Sequence, residues 1–101
     1  MRGGDALIHA LEKEGVEYIS GFAGSGEAPL WPALRASQSI KVFSSRHERM
    51  GVEIADGYAR ATGKVGVALA GTGPGATKTL TGIAGAFADN IPGLLLMGKH
   101  P

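Results

Sequence analysis

Val65-Gly66-Val67-Ala68-Leu69-Ala70, followed at once by Gly71-Thr72-Gly73-Pro74-Gly75, decides the fold. The six-residue run carries no charge, so it reads as a strand covered on both faces. Downstream, residues 76–88 place Leu80, Ile83, Ala84 and Phe87 at the i, i+3, i+4, i+7 spacing of an amphipathic helix. Residues 93–98 then form a further strand. Upstream, residues 47–62 read as a helix that buries Ile54, Ala55, Tyr58 and Ala59 and is closed by Gly63. Before it lie a strand at 40–44, a helix at 27–37 carrying Leu30, Trp31 and Leu34, and a strand at 16–22. Pro29 fits only near the start of that helix, where a missing N–H is harmless. The first helix spans 6–14, with Asp5 as its cap, Leu7, Ile8 and Leu11 on one face, and Gly15 as its stop.

Helices that regularly separate short apolar strands imply an α/β fold, a parallel sheet flanked by helices with right-handed crossovers. Ligands on such sheets bind beyond the carboxyl ends of the strands. Segments 21–26, 46–48 and 71–75 each follow an expected strand, so they should gather along one sheet edge. Lys99-His100-Pro101 follows the last strand with no covering helix, so the expectation is a truncated domain.

The 101 residues, 44% of them hydrophobic, fit one small domain or part of one. Ten Lys+Arg against nine Asp+Glu leave a formal charge of +1, with no basic surplus for a nucleic-acid backbone. Cysteine is absent, which removes disulfides and thiolate metal sites. No apolar leader precedes the first helix, and the longest strongly apolar run, Leu94 to Met97, cannot span a bilayer. A cytoplasmic protein without membrane or nucleic-acid partners is therefore expected. His9, His47 and His100 are scattered, so no metal site is expected on this chain.

Seventeen glycines lie at element ends and in loops, as tight turns and close backbone approach require. The loop at 71–75 invites a phosphate-binding reading. Walker spacing fails, because Ala76 and Thr77 stand where Gly and Lys are needed. Dinucleotide spacing fails at Ala76 as well, and Gly24-x-Gly26 fails at Pro29.

A stronger signal is an ordered set of short motifs. Arg46-His47-Glu48 stands where a strand gives way to a helix, followed by Ala55-Asp56-Gly57-Tyr58-Ala59-Arg60-Ala61-Thr62-Gly63. Gly73-Pro74-Gly75-Ala76-Thr77 and Ala86-Phe87-Ala88-Asp89-Asn90-Ile91-Pro92 come next. Together, over the whole chain, they resemble the pyrimidine-binding domain of thiamine-diphosphate enzymes of the acetolactate synthase type. Pyruvate oxidase, benzoylformate decarboxylase and glyoxylate carboligase are its relatives. The resemblance implies the pyrimidine-domain fold for residues 1–101, as the N-terminal part of that domain, with no diphosphate-binding domain present.

On its residues alone, Glu48 reads as a first-turn carboxylate that complements a helix dipole. The resemblance makes it catalytic. In the family this glutamate hydrogen-bonds a ring nitrogen of the cofactor's aminopyrimidine and favours the imino form, which generates the nucleophilic ylide. A carboxyl in a fairly dry pocket suits that exchange of a proton. Thr72, Pro74 and Gly75 match the wall beside the pyrimidine, or else simply form a tight strand-to-helix connection. Gly24 matches the glycine of the family's first loop, and Lys78 also falls beside the expected cofactor. Tyr58 and Arg60 read as packing and solvated-face residues, and Asp89 as a structural brace.

Three positions depart from the family pattern: Ala23 replaces a proline, Lys78 an asparagine, and Lys99 a glutamine. The two lysines could mark a different acidic or phosphorylated substrate, or a diverged relative. The resemblance implies a 2-oxo acid substrate, decarboxylase or carboligase chemistry, and thiamine diphosphate with Mg2+ held by a domain absent from this chain. It leaves flavin (FAD) use open. A second subunit would supply the diphosphate-binding half, in a homodimer or homotetramer, so this chain alone should be inactive. The alternative is a separately encoded subunit, or a non-catalytic binding module of the same fold that needs such a partner.

Overall fold

The computed structural model describes residues 1–22 and 28–99. Helix α1 spans Gly3–Lys13. It starts before the expected Asp5 cap, because Asp5 sits inside the first turn and accepts the Arg2 backbone N–H at 3.1 Å. An acidic residue at that place satisfies one of the otherwise unpaired amides of a helix start. Strand β1, Tyr18–Gly21, follows. A single 3-10 turn at Ala28–Leu30 leads into α2, Trp31–Ala36. The expected helix at 27–37 is therefore shorter and tighter at its start, where Pro29 and Pro32 remove two N–H donors. Strand β2 is Lys41–Ser44, α3 is Glu48–Thr62 and β3 is Gly66–Ala70.

The expected single helix at 76–88 is two: α4, Pro74–Thr77, and α5, Leu80–Ala88, with a break at Lys78 and Thr79. Strand β4 is Gly93–Met97. The four strands form one parallel sheet in the order β2-β1-β3-β4. Ile19 stands in register with Val42 on one side and Val67 on the other.

β3 is buried throughout, as its uncharged sequence requires. Val67 and Leu69 face a core made with Ile8 and Leu11 of α1, Ile19 of β1 and Leu34 of α2. Ala68 faces the opposite core, with Val52 and Ala55 of α3. Burying each large aliphatic side chain contributes about 1.5–3 kcal/mol before the entropy of ordering is counted.

Burial expectations on three helices are overturned. Leu7 is partly exposed although its α1 neighbours are buried. Ile54 faces outward on α3, where Gly51 and Val52 take the buried positions beside Ala55 and Ala59. On α5, Leu80 and Phe87 are exposed, Phe87 to 84%, and Gly82 is the buried residue. The cause is close helix packing: a Cβ on Gly82 would lie 2.8 Å from Val52 Cγ1. Turning Gly82 toward α3 turns the larger α5 side chains away from it.

Candidate active site

The carboxyl ends of all four parallel strands lie at one edge of the sheet. Of the segments expected there, 46–48 and 71–75 do gather on that edge. Residues 23–27, including Gly24, lie outside the described residues, so the expected role of Gly24 has no structural account. The edge is also where the chain reverses its direction across the sheet, since β3 joins beside β1 and not beside β2. Ligands of open α/β sheets collect at such a point.

Glu48 is the first residue of α3. His47 caps that helix: its ring Nδ1 accepts the Arg49 backbone N–H at 3.1 Å. The Arg-His-Glu motif thus contains its own helix start, a role for His47 that the sequence reading left unassigned. Glu48 is half-buried, and among the described residues its carboxyl joins no ion pair or hydrogen bond. Its place in the first turn of α3 sets the carboxyl at the positive end of the helix dipole.

The loop after β3 comes up against this carboxyl. Gly73 adopts φ 57°, a left-handed value that lets the chain turn sharply from β3 into α4. Pro74 then opens α4, a first-turn position where its missing N–H costs nothing. Gly75 follows, and a Cβ there would meet Glu48 Oε1 at 3.4 Å. Gly75 and Glu48, 27 positions apart in the sequence, are therefore neighbours. A side chain on Gly75 would crowd that carboxyl oxygen, and glycine keeps the space beside it free. Thr72 is half-buried beside them, whereas Pro74 and Lys78 are exposed.

The remaining singled-out residues lie elsewhere. Arg60 bridges Asp56 at 3.0 Å and Asp89 at 2.7 Å, tying α3 to the end of α5. Tyr58 packs edge-on against Tyr18, with ring centroids 5.7 Å apart. Both are toward the end of α3 far from Glu48. His9 is exposed on α1. Among the described residues no cluster of three or more ligating side chains could hold a metal ion, and no helix is long and apolar enough to cross a membrane.

Missed altogether by the sequence reading were three buried hydroxyls, Ser20, Ser45 and Thr79. Ser20 carried one signal, a hydroxyl in an otherwise apolar strand, whereas Ser45 and Thr79 stand among other polar residues.

The four-stranded parallel sheet with flanking helices is consistent with one family of enzyme domains. Residues 1–101 match the family described as thiamine pyrophosphate enzyme, N-terminal TPP binding domain, and the chain belongs to it. The chain is similar to the probable acetolactate synthase large subunit of Methanocaldococcus jannaschii, with 45% identity over 100% of this chain. The acetolactate synthase of Arthrospira platensis is 46% identical over 98% of the chain, and the chloroplastic acetolactate synthase of Arabidopsis thaliana 41% identical over 99%. The chain spans 17%, 18% and 15% of the lengths of these relatives.

Proposed function

We propose that this chain forms the pyrimidine-binding half of a thiamine-diphosphate site in an acetolactate synthase-like enzyme, one that decarboxylates or condenses 2-oxo acids. The observation that carries the proposal is the Glu48–Gly75 junction: a half-buried carboxyl, without a hydrogen bond or ion pair among the described residues, beside a glycine whose Cβ would lie 3.4 Å from Oε1. When bound, the cofactor supplies the carbanion chemistry that protein side chains lack. Glu48 is the catalytic residue, and its carboxyl shares a proton with a ring nitrogen placed against it. Thr72, Pro74 and Gly75 wall the ring, and Lys78, one residue beyond α4, sets a positive charge at the rim of the same edge. Gly24 is assigned to the same cofactor site through the family motif that it matches.

The diphosphate and its Mg2+ need a charge-binding surface of their own. We assign that surface to a diphosphate-binding domain of a second subunit, with at least a homodimer as the working unit. The curated relatives are several times longer than this chain, which leaves ample sequence for such a domain.

The test is Glu48→Gln in the full-length protein. An amide keeps the shape but cannot exchange the proton. Turnover should fall by about a hundredfold or more, within the range associated with proton transfer by a positioned side chain. Binding of thiamine diphosphate, measured alongside, should weaken far less. Near-normal turnover would overturn the assignment of Glu48.

A further inference from the structure

Ser20, Ser45 and Thr79 are the buried polar side chains among the described residues, at 3%, 8% and 1% exposure. All three carry hydroxyls, and all three lie at the carboxyl edge of the sheet. Ser20, next to the end of β1, donates to the Gly51 carbonyl in the first turns of α3 at 2.5 Å. Ser45, just past β2, donates to the His47 carbonyl at 2.8 Å. Thr79, between α4 and α5, donates to the Ala76 carbonyl at 2.5 Å.

Two of these bonds fasten the turn that carries Glu48, and the third fastens the segment that carries Gly75. The contact surfaces around them are tight. A Cβ on Gly51 would lie 2.9 Å from Gly21 Cα and 3.3 Å from Ser45 Oγ, so α3 rests directly on the end of β1. Each hydroxyl is bonded, so an apolar side chain of similar shape in its place removes one hydrogen bond, at a cost of about 0.5–1.5 kcal/mol. What a hydroxyl adds is direction.

We infer that Ser20, Ser45 and Thr79 are positioning residues that hold the Glu48 carboxyl against the glycine turn, with Ser20 the principal one. This rests on the reading of Glu48 as the proton-sharing group. Ser20 links β1 to α3 across 31 positions of sequence, whereas the other two bonds are local. A reacting group displaced by about 1 Å can lose about a hundredfold in rate, so a bond that fixes one helix turn has a measurable effect.

Ser20 also lines an apolar cavity of about 190 Å³ with Tyr18, Phe43 and Ile54, and this makes a clean test available. The cavity has room for a methyl group, so Ser20→Thr keeps the hydroxyl and Ser20→Val has the same shape without it. In the full-length protein, Ser20→Val should lower kcat by about tenfold to a hundredfold. It should also speed amide hydrogen exchange at residues 49–52 under native conditions. Ser20→Thr should stay within about twofold of the parent in both measurements, since the donor is retained. In a Glu48→Gln background, Ser20→Val should cost no further kcat, because the group it positions is already disabled.

Equal behaviour of the Val and Thr variants in exchange and in kcat would overturn the inference. So would the same kcat loss in both backgrounds, which marks general structural damage. If Ser20→Val does not fold, Ser45→Ala carries the same comparison with the same expected outcomes. Should Glu48→Gln itself retain turnover, the catalytic reading of Glu48 falls and the positioning role falls with it. The exchange data would then still report whether the hydroxyl fastens α3.

Discussion

Gly73 and Gly75 stand two positions apart and are glycine for different reasons, so alanine at each should fail differently. At Gly73 the backbone lies at φ 57°, where an L side chain meets the following carbonyl. Gly73→Ala should therefore destabilise the protein by about 1–2 kcal/mol, read as a lower midpoint in urea. Gly75 lies inside α4, outside the left-handed region, and its added methyl would meet the Glu48 side chain, with Oε1 nearest at 3.4 Å and Cγ and Cδ at 3.8 and 3.9 Å. Gly75→Ala should leave the urea midpoint unchanged or raise it by up to about 1 kcal/mol of stability. The same methyl covers the carboxyl oxygen, so cofactor-dependent turnover of the full-length protein should fall by about tenfold, on the scale of a misplaced reacting group. Loss of stability without loss of turnover at Gly75 would count against an approach to Glu48 from that side.

At the scale of elements, the crossing of α3 and α5 depends on Gly82. A Cβ there would lie 2.8 Å from Val52 Cγ1 and 3.0 Å from its Cβ, so Gly82→Ala should overpack the junction at a cost of about 1–3 kcal/mol. Val52→Ala alone leaves a void, yet combined with Gly82→Ala it makes room for the new methyl. The pair should be less destabilising than the sum of the singles by about 0.5 kcal/mol or more, as contacting residues are. This crossing also shows where sequence reading stopped. The parallel sheet and its helices could be read from the uncharged run before Gly71 and from the alternation of helices and strands. The pairing of Glu48 with the glycine turn could be read only in outline, as two segments following strands. Leu80 and Phe87 looked buried because their spacing is helical, but spacing gives a face and not its direction. The direction is set by a close approach at Gly82 that no periodicity reports. Likewise Ser20 stood in a β-prone run with nothing local to show that its partner was Gly51.

For the molecule as a whole, a charged pair at the amino edge of the sheet links two distant segments. Lys64 Nζ lies 2.8 Å from Glu17 Oε1, and its hydrogen bond and charge hold the Glu17 carboxyl below its ordinary range. The same contact raises Lys64 above the ordinary lysine range. A carboxylate depressed in the folded state adds stability above its unfolded pKa and loses it as pH falls through the folded value. A raised lysine adds stability below its unfolded pKa and loses it as pH rises through the folded one. The pair should thus support the fold across the neutral range and fade at both ends, weakly, because both side chains are exposed and screened. Urea midpoints followed against pH should show the acid-side loss in the parent and a flatter profile in Glu17→Gln, with 1 M salt narrowing the gap. The strand order carries a further consequence, for the time course of folding. Because Ile19 is flanked by Val42 and Val67, β1 and β2 can pair early, but β1 keeps an open edge until β3, 45 or more positions further on, has added beside it. Such a late, long-range closure is slow and entropically demanding. The edge that carries Glu48 is therefore among the last parts of the domain to take shape, and slow closure at β3 would delay the acquisition of activity more than the appearance of helix.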